Sequence, residues 1–455
     1  MALVPFICQI FRDKGGAPLH IVVLGAGPGG LSAAYEGIHH GHAVTIVDPE
    51  GLGGNALRHS LVPSKVLIRT ARALQIASRM GGRWNAADWP HVMAVQRGIL
   101  ERGEKRAQQQ LRNARVILEA GRICGPREVV TDKSATVLRG DVLIIAAGSR
   151  QRLIPGVKPD GFRVWIPRIF HTLKALPEEL AIMGAGATGL EAASLFAQFG
   201  VKVHVYTPHK TLLPSYAPEI GDRLTSSLQA MGVIIHWDRR ARTLEALKSG
   251  GVAINWESSS DSGRDLAPHV LIAAGREPMW DRNSLEAAGF ELTDDGFFHV
   301  GEVGQTSVAG VYAVGDAAGG PMLANKAWHD GRNAVRHALD LPLDFPQGSL
   351  VEAIYTDPEV ARVGQVTDYV HPITLDESWL YYPVLADDDL LFGRVYTDNR
   401  GAVVGAEIIG EEAAEVVSSL TVAIAGRLTL WDLRRIRPAS PSILEVLAVQ
   451  DPLQN

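Results

Sequence analysis

Six residues near the start of the chain can hold a diphosphate. Gly25-Ala26-Gly27-Pro28-Gly29-Gly30 follows the buried-strand run His-Ile-Val-Val-Leu at 20–24. A helical stretch (31–40) comes next, then a second strand, Ala-Val-Thr-Ile-Val at 43–47, closed by Asp48. In such a unit Gly25 permits a tight turn, Gly27 lets a pyrophosphate approach the backbone, and Gly30 lets helix pack on strand. The helix N-terminus then faces the phosphates and Asp48 can accept hydrogen bonds from a ribose. The chemistry expected is dinucleotide binding. The spacing recurs, because Leu-Ala-Ile-Met at 180–183 leads into Gly184-Ala185-Gly186-Ala187-Thr188-Gly189, a helix to about 199 and a strand at 201–206. Two such units mean two dinucleotides, or one and a relic.

The elements that carry these turns sit in an ordinary globular chain. It has 455 residues, 46% of them hydrophobic, and a formal net charge of −6, which predicts about three domains. The mild acidity and the lack of any Lys/Arg run argue against nucleic acid. The apolar opening at 1–11 has no basic leader and is followed by Arg12, Asp13 and Lys14, which does not fit a signal peptide. No apolar run approaches the roughly 20 residues of a membrane span. Cys8 and Cys124 are the two cysteines, far apart and without metal-like spacing, so a reducing, cytoplasmic setting is expected and no metal.

The segment at 51–65, Gly-Leu-Gly-Gly-Asn-Ala-Leu-Arg-His-Ser-Leu-Val-Pro-Ser-Lys, resembles the active-site helix of the FAD-dependent pyridine nucleotide-disulfide oxidoreductases, the dihydrolipoamide dehydrogenase-like family. That family carries Gly-Gly-Thr-Cys, four residues, then Cys-x-Pro-Ser-Lys. Here Gly53, Gly54, Pro63, Ser64 and Lys65 stand as in the family, but Ala56 and Leu61 occupy the cysteine positions. Disulfide exchange needs one sulfur to attack and another to close the bridge, and neither side chain has one. Further motifs follow in the family's order. Strands ending at Ala147-Gly148 and at Gly275 resemble its domain crossings, and 311–327, with Asp316, resembles its second FAD motif, though Asn325 stands where His is usual. The segments at 355–364 and 402–415 resemble its dimerisation domain. The resemblance covers about 20–447.

It implies an α/β fold with two Rossmann-like dinucleotide-binding domains, for FAD and NAD(P), plus a C-terminal α+β dimerisation domain. Expected boundaries are 1–160 and 279–345 for the two parts of the FAD domain, 161–278 for the NAD(P) domain and 346–455 for dimerisation. Implied FAD contacts are Gly25, Gly27, Pro28, Gly29, Gly30, Asp48, Gly53, Gly54, Lys65, Gly121, Ala147, Gly148, Asp316, Met322, Leu323 and Ala324. Implied nicotinamide-side contacts are Gly184, Gly186, Thr188, Gly189, Glu191, Thr207, His209, Lys210 and Gly275. Lys65 matches the family's lysine beside the flavin, and Glu191 matches the glutamate that pairs with it. A cation there stabilises the reduced, anionic isoalloxazine; the alternative is a solvated lysine and a surface acid.

The family's C-terminal base His is replaced by Ser440, whose hydroxyl does not titrate near neutral pH. Glu445 remains, with an expected structural role. His59 is either a proton donor to a reduced acceptor or a half-exposed helix histidine. Arg435 and Arg437 either line an acceptor pocket or form a solvated basic turn. After the second strand, Thr207-Pro208-His209-Lys210 offers no acid and two cations, which favours a 2′-phosphate and hence NADPH over NADH. The expectation is a homodimeric flavoprotein passing hydride from NAD(P)H through FAD to a small-molecule acceptor. A quinone comes first, because Gly53–Ala56, Val62–Lys65 and Pro441-Ser442 resemble the NAD(P)H:quinone reductase branch. Soluble transhydrogenase, which also lacks the base His, comes second. A non-catalytic FAD-binding subunit is the third reading.

Overall fold

A computed structural model of the chain describes residues 17–83, 88–343, 350–366, 371–374 and 391–448. The apolar opening segment and Cys8 lie outside them. The chain divides into two compact units, 1–62 with 97–150 and 276–344, and 63–96 with 151–275 and 345–455.

The first unit is built on a five-stranded parallel sheet. The strand His20–Leu24 lies between Ala43–Val47 and Val142–Ile145, with Arg115–Ile117 and Val311–Ala313 at the edges. Its side chains alternate between two cores. Ile21 and Val23 pack with Ala33, Ala34 and Val335 of the helices Pro28–His39 and Ala324–Ala338. Val22 and Leu24 pack on the opposite face with Val129, Leu138 and Phe298. A run buried on both faces is what a central parallel strand requires. Pro28 begins its helix, where its missing N–H and fixed φ cost nothing.

The second unit repeats the design and adds to it. A five-stranded parallel sheet centres on Glu179–Met183, flanked by Lys202–Tyr206 and Val270–Ile272, and covered by the helices Ala187–Gln198 and Pro218–Ala230. An antiparallel meander, Arg240–Ala246, Val252–Glu257 and Ser262–Ala267, packs Trp256, Ile254 and Leu244 against Met183 and Tyr206. The C-terminal part is a five-stranded antiparallel sheet backed by the helix Ala413–Gly426. Among the described residues no helix is long and apolar enough to cross a membrane, and no cluster of three or more His, Cys, Asp or Glu could hold a metal.

The segment that resembles one active-site helix is two. A helix Gly54–Arg58 stops, and a second begins at Leu61–Arg79. Asn55 causes the break. Its carbonyl accepts from both His59 and Ser60 N–H, at 3.0 and 2.9 Å, and its side chain donates to Ser60 Oγ at 2.8 Å. The Ser60 bond reaches back five residues instead of four, so the α ladder ends there.

Candidate functional site

The two glycine turns have matching geometry. Gly25 and Gly184 adopt φ of +103° and +115°, a region closed to side chains with a Cβ. A Cβ on Gly30 or Gly189 would lie 1.9 Å from the carbonyl oxygen of Gly25 or Gly184, so helix and turn meet without room for a methyl. At Gly27 and Gly186 the same test finds nothing within 4 Å. That open space lies beside helix N-termini whose first N–H groups lack intrahelical partners, and it fits a dinucleotide pyrophosphate.

Asp48 is bound by backbone through both carboxylate oxygens. Oδ2 accepts from Ala26 N–H at 2.8 Å, and Oδ1 from Glu50 and Gly51 N–H at 2.8 and 3.0 Å. Gly53 N–H returns to the Ala26 carbonyl at 2.9 Å, and a Cβ on Gly54 would come 2.6 Å from Gly27 Cα. Asp48 therefore ties the 50–54 loop to the glycine turn, with three of its roughly four acceptor positions used. A ribose hydroxyl could take the last.

Asp316, in the short 3-10 turn Gly315–Ala318, meets two residues that the sequence did not mark as site residues. Ser149 donates to its Oδ2 at 2.5 Å, and Arg276 Nε lies 3.3 Å from the same oxygen while donating to Ser149 Oγ at 2.6 Å. Their signal was available, because Ser149 and Arg276 each follow an Ala-Ala-Gly strand end. Met322 Sδ lies 3.8 Å from Ser149 Oγ, and Leu323 and Ala324 open the helix Ala324–Ala338. Gly148 and Gly275 have positive φ and open space. Gly121 does not: a Cβ there would meet Val47 and Val129 methyls at 2.9 Å, so its smallness serves packing.

At the end of Lys202–Tyr206, Thr207 departs from expectation. It is fully buried and its hydroxyl accepts from His209 N–H at 3.2 Å, so it shapes the turn and has no surface for a ribose. His209 and Lys210 are exposed, as is Thr188 in the first turn of its helix. Asp238, whose N–H donates to His209 O at 3.1 Å, brings an acid the sequence reading missed. Hydrogen bonds from Ser259, with the Lys210 charge behind them, hold its carboxyl below the ordinary range.

Lys65 and Glu191, 126 residues apart, form an ion pair at 2.6 Å with side chains 22% and 12% exposed. Tyr355 completes the group: its N–H donates to Glu191 Oε1 at 2.9 Å and its ring centroid lies 4.7 Å from Lys65 Nζ. Burial first, then the Glu359 and Glu191 charges, raise the Tyr355 hydroxyl above its usual pKa, so it stays neutral. The reading of Lys65 and Glu191 as unconnected surface charges does not hold.

His59 Nε2 is 2.6 Å from Glu50 Oε2. Arg435 and Arg437 are exposed, and Ser440 is exposed beside Pro441. Glu445 accepts from Ser442 N–H at 3.3 Å at the start of its own short helix, a local structural role.

Two nucleotide cradles on parallel sheets, followed by a separate antiparallel sheet, define an oxidoreductase scaffold with two dinucleotide sites. The family model of pyridine nucleotide-disulphide oxidoreductases matches residues 19–331, and that of their dimerisation domain matches 351–450. The chain belongs to this family, which uses FAD and NAD(P)H, and the dimerisation domain supports a homodimer. It is 29% identical over 450 residues to dihydrolipoyl dehydrogenase 2 of Haloarcula marismortui, covering 94% of each chain. To dihydrolipoyl dehydrogenase of Bacillus subtilis it is 28% identical over 448 residues, covering 93% of this chain and 94% of the other. A crystal structure of LpdA from Mycobacterium tuberculosis superposes with a TM-score of 0.86 at 25% identity, covering 94% of this chain and 98% of that one. The HOCl-induced flavoprotein disulfide reductase RclA from Escherichia coli, at 0.81 and 21%, shares the fold.

Proposed function

We propose that this protein passes hydride from NAD(P)H to FAD and on directly to a non-disulfide acceptor, with a quinone the first choice. One observation carries the reading: Ala56 and Leu61 stand at the two sulfur positions while the Lys65–Glu191 pair is intact at 2.6 Å. The relatives named dihydrolipoyl dehydrogenase share the scaffold, but thiol exchange cannot run through a methyl and an isobutyl group. Ser440 at the base position points the same way, since a group needed for thiol chemistry has no task without thiols.

FAD, when bound, supplies a two-electron carrier between nicotinamide and acceptor. For it, the turn at Gly25–Gly30 offers backbone N–H groups to the pyrophosphate, and Asp48 and Asp316 offer carboxylate oxygens to hydroxyl groups. The turn at Gly184–Gly189 does the same for NAD(P)H, with Lys210 available to a 2′-phosphate. Lys65 supplies a positive charge against the negative charge that reduction creates, and Glu191 holds that ammonium in place.

Anaerobic addition of NADPH or NADH should bleach the flavin band near ~450 nm, and a steady-state acceptor screen should then find quinone turnover without lipoamide turnover. Rapid lipoamide reduction in a protein with Cys8 and Cys124 changed to Ser would refute the non-disulfide reading. Turnover with a second nicotinamide instead of quinones would select transhydrogenation. A flavin that NAD(P)H leaves oxidised would select the non-catalytic FAD-binding subunit.

A further inference from the structure

One face of the helix Ala187–Gln198 grips the turn at 355–357. Glu191 Oε1 accepts from Tyr355 N–H at 2.9 Å, Ser194 Oγ accepts from Asp357 N–H at 3.0 Å, and Gln198 Nε2 donates to Asp357 Oδ2 at 3.1 Å. Spacings of three and four residues put all three on one stripe of the helix. The helix bearing Lys65 reaches the same turn two turns further along. There Arg72 donates to Thr356 O at 2.7 Å and to Glu359 Oε1 at 2.6 Å.

Glu191 is therefore divided, one oxygen on a backbone amide and the other on Lys65 Nζ. Lys65 is bounded on a second side by the Tyr355 ring. A partly exposed lysine–carboxylate pair holds its geometry weakly, because solvent screens the attraction and ordering the long side chains costs entropy. An amide lock on the acid and an aromatic face under the ammonium remove that freedom. We propose that Tyr355 is a positioning residue for the Lys65–Glu191 pair, so that the C-terminal domain sets where the cation stands. Its consequence for turnover rests on the hydride-transfer reading above; the placement itself does not. If Tyr355 served only to fill space, any apolar side chain of similar size would replace it.

The test uses the full-length, FAD-loaded protein and measures acylation of the Lys65 amine by acetic anhydride, read by peptide mass spectrometry across pH. Tyr355→Phe keeps the ring and should label as slowly as the parent. Tyr355→Leu should label about fivefold faster, the equivalent of an aromatic contact on a partly shielded cation. Its pH profile for labelling should also move to lower pH. If Tyr355→Leu does not fold, as judged by thermal melting, Tyr355→Met carries the same comparison. Equal labelling of parent and ring-less variant, or equal acceleration by Tyr355→Phe, overturns the proposal. Bleaching of the parent flavin by NAD(P)H is recorded alongside. An unbleached parent with the expected labelling pattern refutes the hydride reading and leaves the positioning role standing.

Discussion

Ser149 places its hydroxyl 2.5 Å from Asp316 Oδ2, joining two strand ends that are 167 residues apart in the chain. Arg276 reinforces the contact by donating to the Ser149 hydroxyl and carbonyl oxygens. Asp316 thus has Oδ2 engaged, while among the described residues none contacts Oδ1.

A prediction for cofactor retention follows from that division of labour. Asp316→Ala removes the free oxygen and also the 3.3 Å ion pair with Arg276. A hydrogen bond to a charged group is worth about 1.5–3 kcal/mol, so FAD should bind on the order of tenfold to a hundredfold more weakly. Ser149→Ala, which leaves the carboxylate in place, should cost less. Flavin absorbance per polypeptide after dialysis measures both, and an Asp316→Ala protein that holds FAD as tightly as the parent would remove Asp316 from the site.

How far the sequence alone reached depends on the range of each interaction. The glycine turns were legible because their constraints are local: Gly25, Gly27 and Gly30 lie within six residues, and the acid sits at the end of the next strand. Lys65 and Glu191 were readable through the family resemblance, although nothing nearby in sequence links them. Tyr355 was not, since its bond to Glu191 spans 164 residues and runs through a backbone N–H that carries no sequence signature. Thr207 was misread for a related reason. Its position at the strand end was correct, but whether its hydroxyl faces solvent or its own turn is a packing outcome. The helix break at 59–60 likewise depends on one carbonyl, that of Asn55.

Nicotinamide preference should respond to Lys210. Lys210 is exposed four residues past the end of Lys202–Tyr206, and its charge acts on the Asp238 carboxylate. Lys210→Glu should therefore shift the ratio of kcat/KM toward NADH by on the order of tenfold, the loss of one charge-assisted contact. Asp238→Asn should shift it toward NADPH by a smaller factor. Opposite signs for the two variants are required; shifts of one sign would place the 2′-phosphate elsewhere.

Stability should fall in mild acid through a histidine pair. His204 Nδ1 and His236 Nε2 are 3.0 Å apart, and Arg239 donates to His236 Nδ1 at 3.3 Å. His204 Nε2 faces Glu179 at 3.7 Å. Burial is the main cause that lowers both histidines below 6.5; the neighbouring imidazole and Arg239 add to it for His236, and Lys202 for His204, against Glu179 and Asp265. The folded pair stays neutral where the unfolded chain takes up protons, so stability is complete above about pH 6.5 and is lost as pH falls below it. Denaturant melts at pH 7.5 and 5.5 should differ in the parent and differ less in His204→Gln. An unchanged pH dependence in that variant would exclude the pair as the source.

Lys65 sets the last expectation. With Ala56 and Leu61 in place of cysteines, no sulfur is available there to store electrons. Anaerobic titration with NAD(P)H should reach fully reduced flavin at about one equivalent, without a long-wavelength thiolate charge-transfer band. Lys65→Met retains side-chain length and removes the cation that, on the proposed reading, offsets the charge of reduction. Loss of one preorganised charge of this kind slows such steps by on the order of 10²-fold. Glu191→Gln should slow reduction less, because the ammonium survives while one of its two restraints weakens. Stopped-flow traces at 450 nm order the three proteins. A Lys65→Met variant reduced as fast as the parent would show that the pair at 2.6 Å is structural. A titration that needs two equivalents per flavin would show a second electron store in the protein.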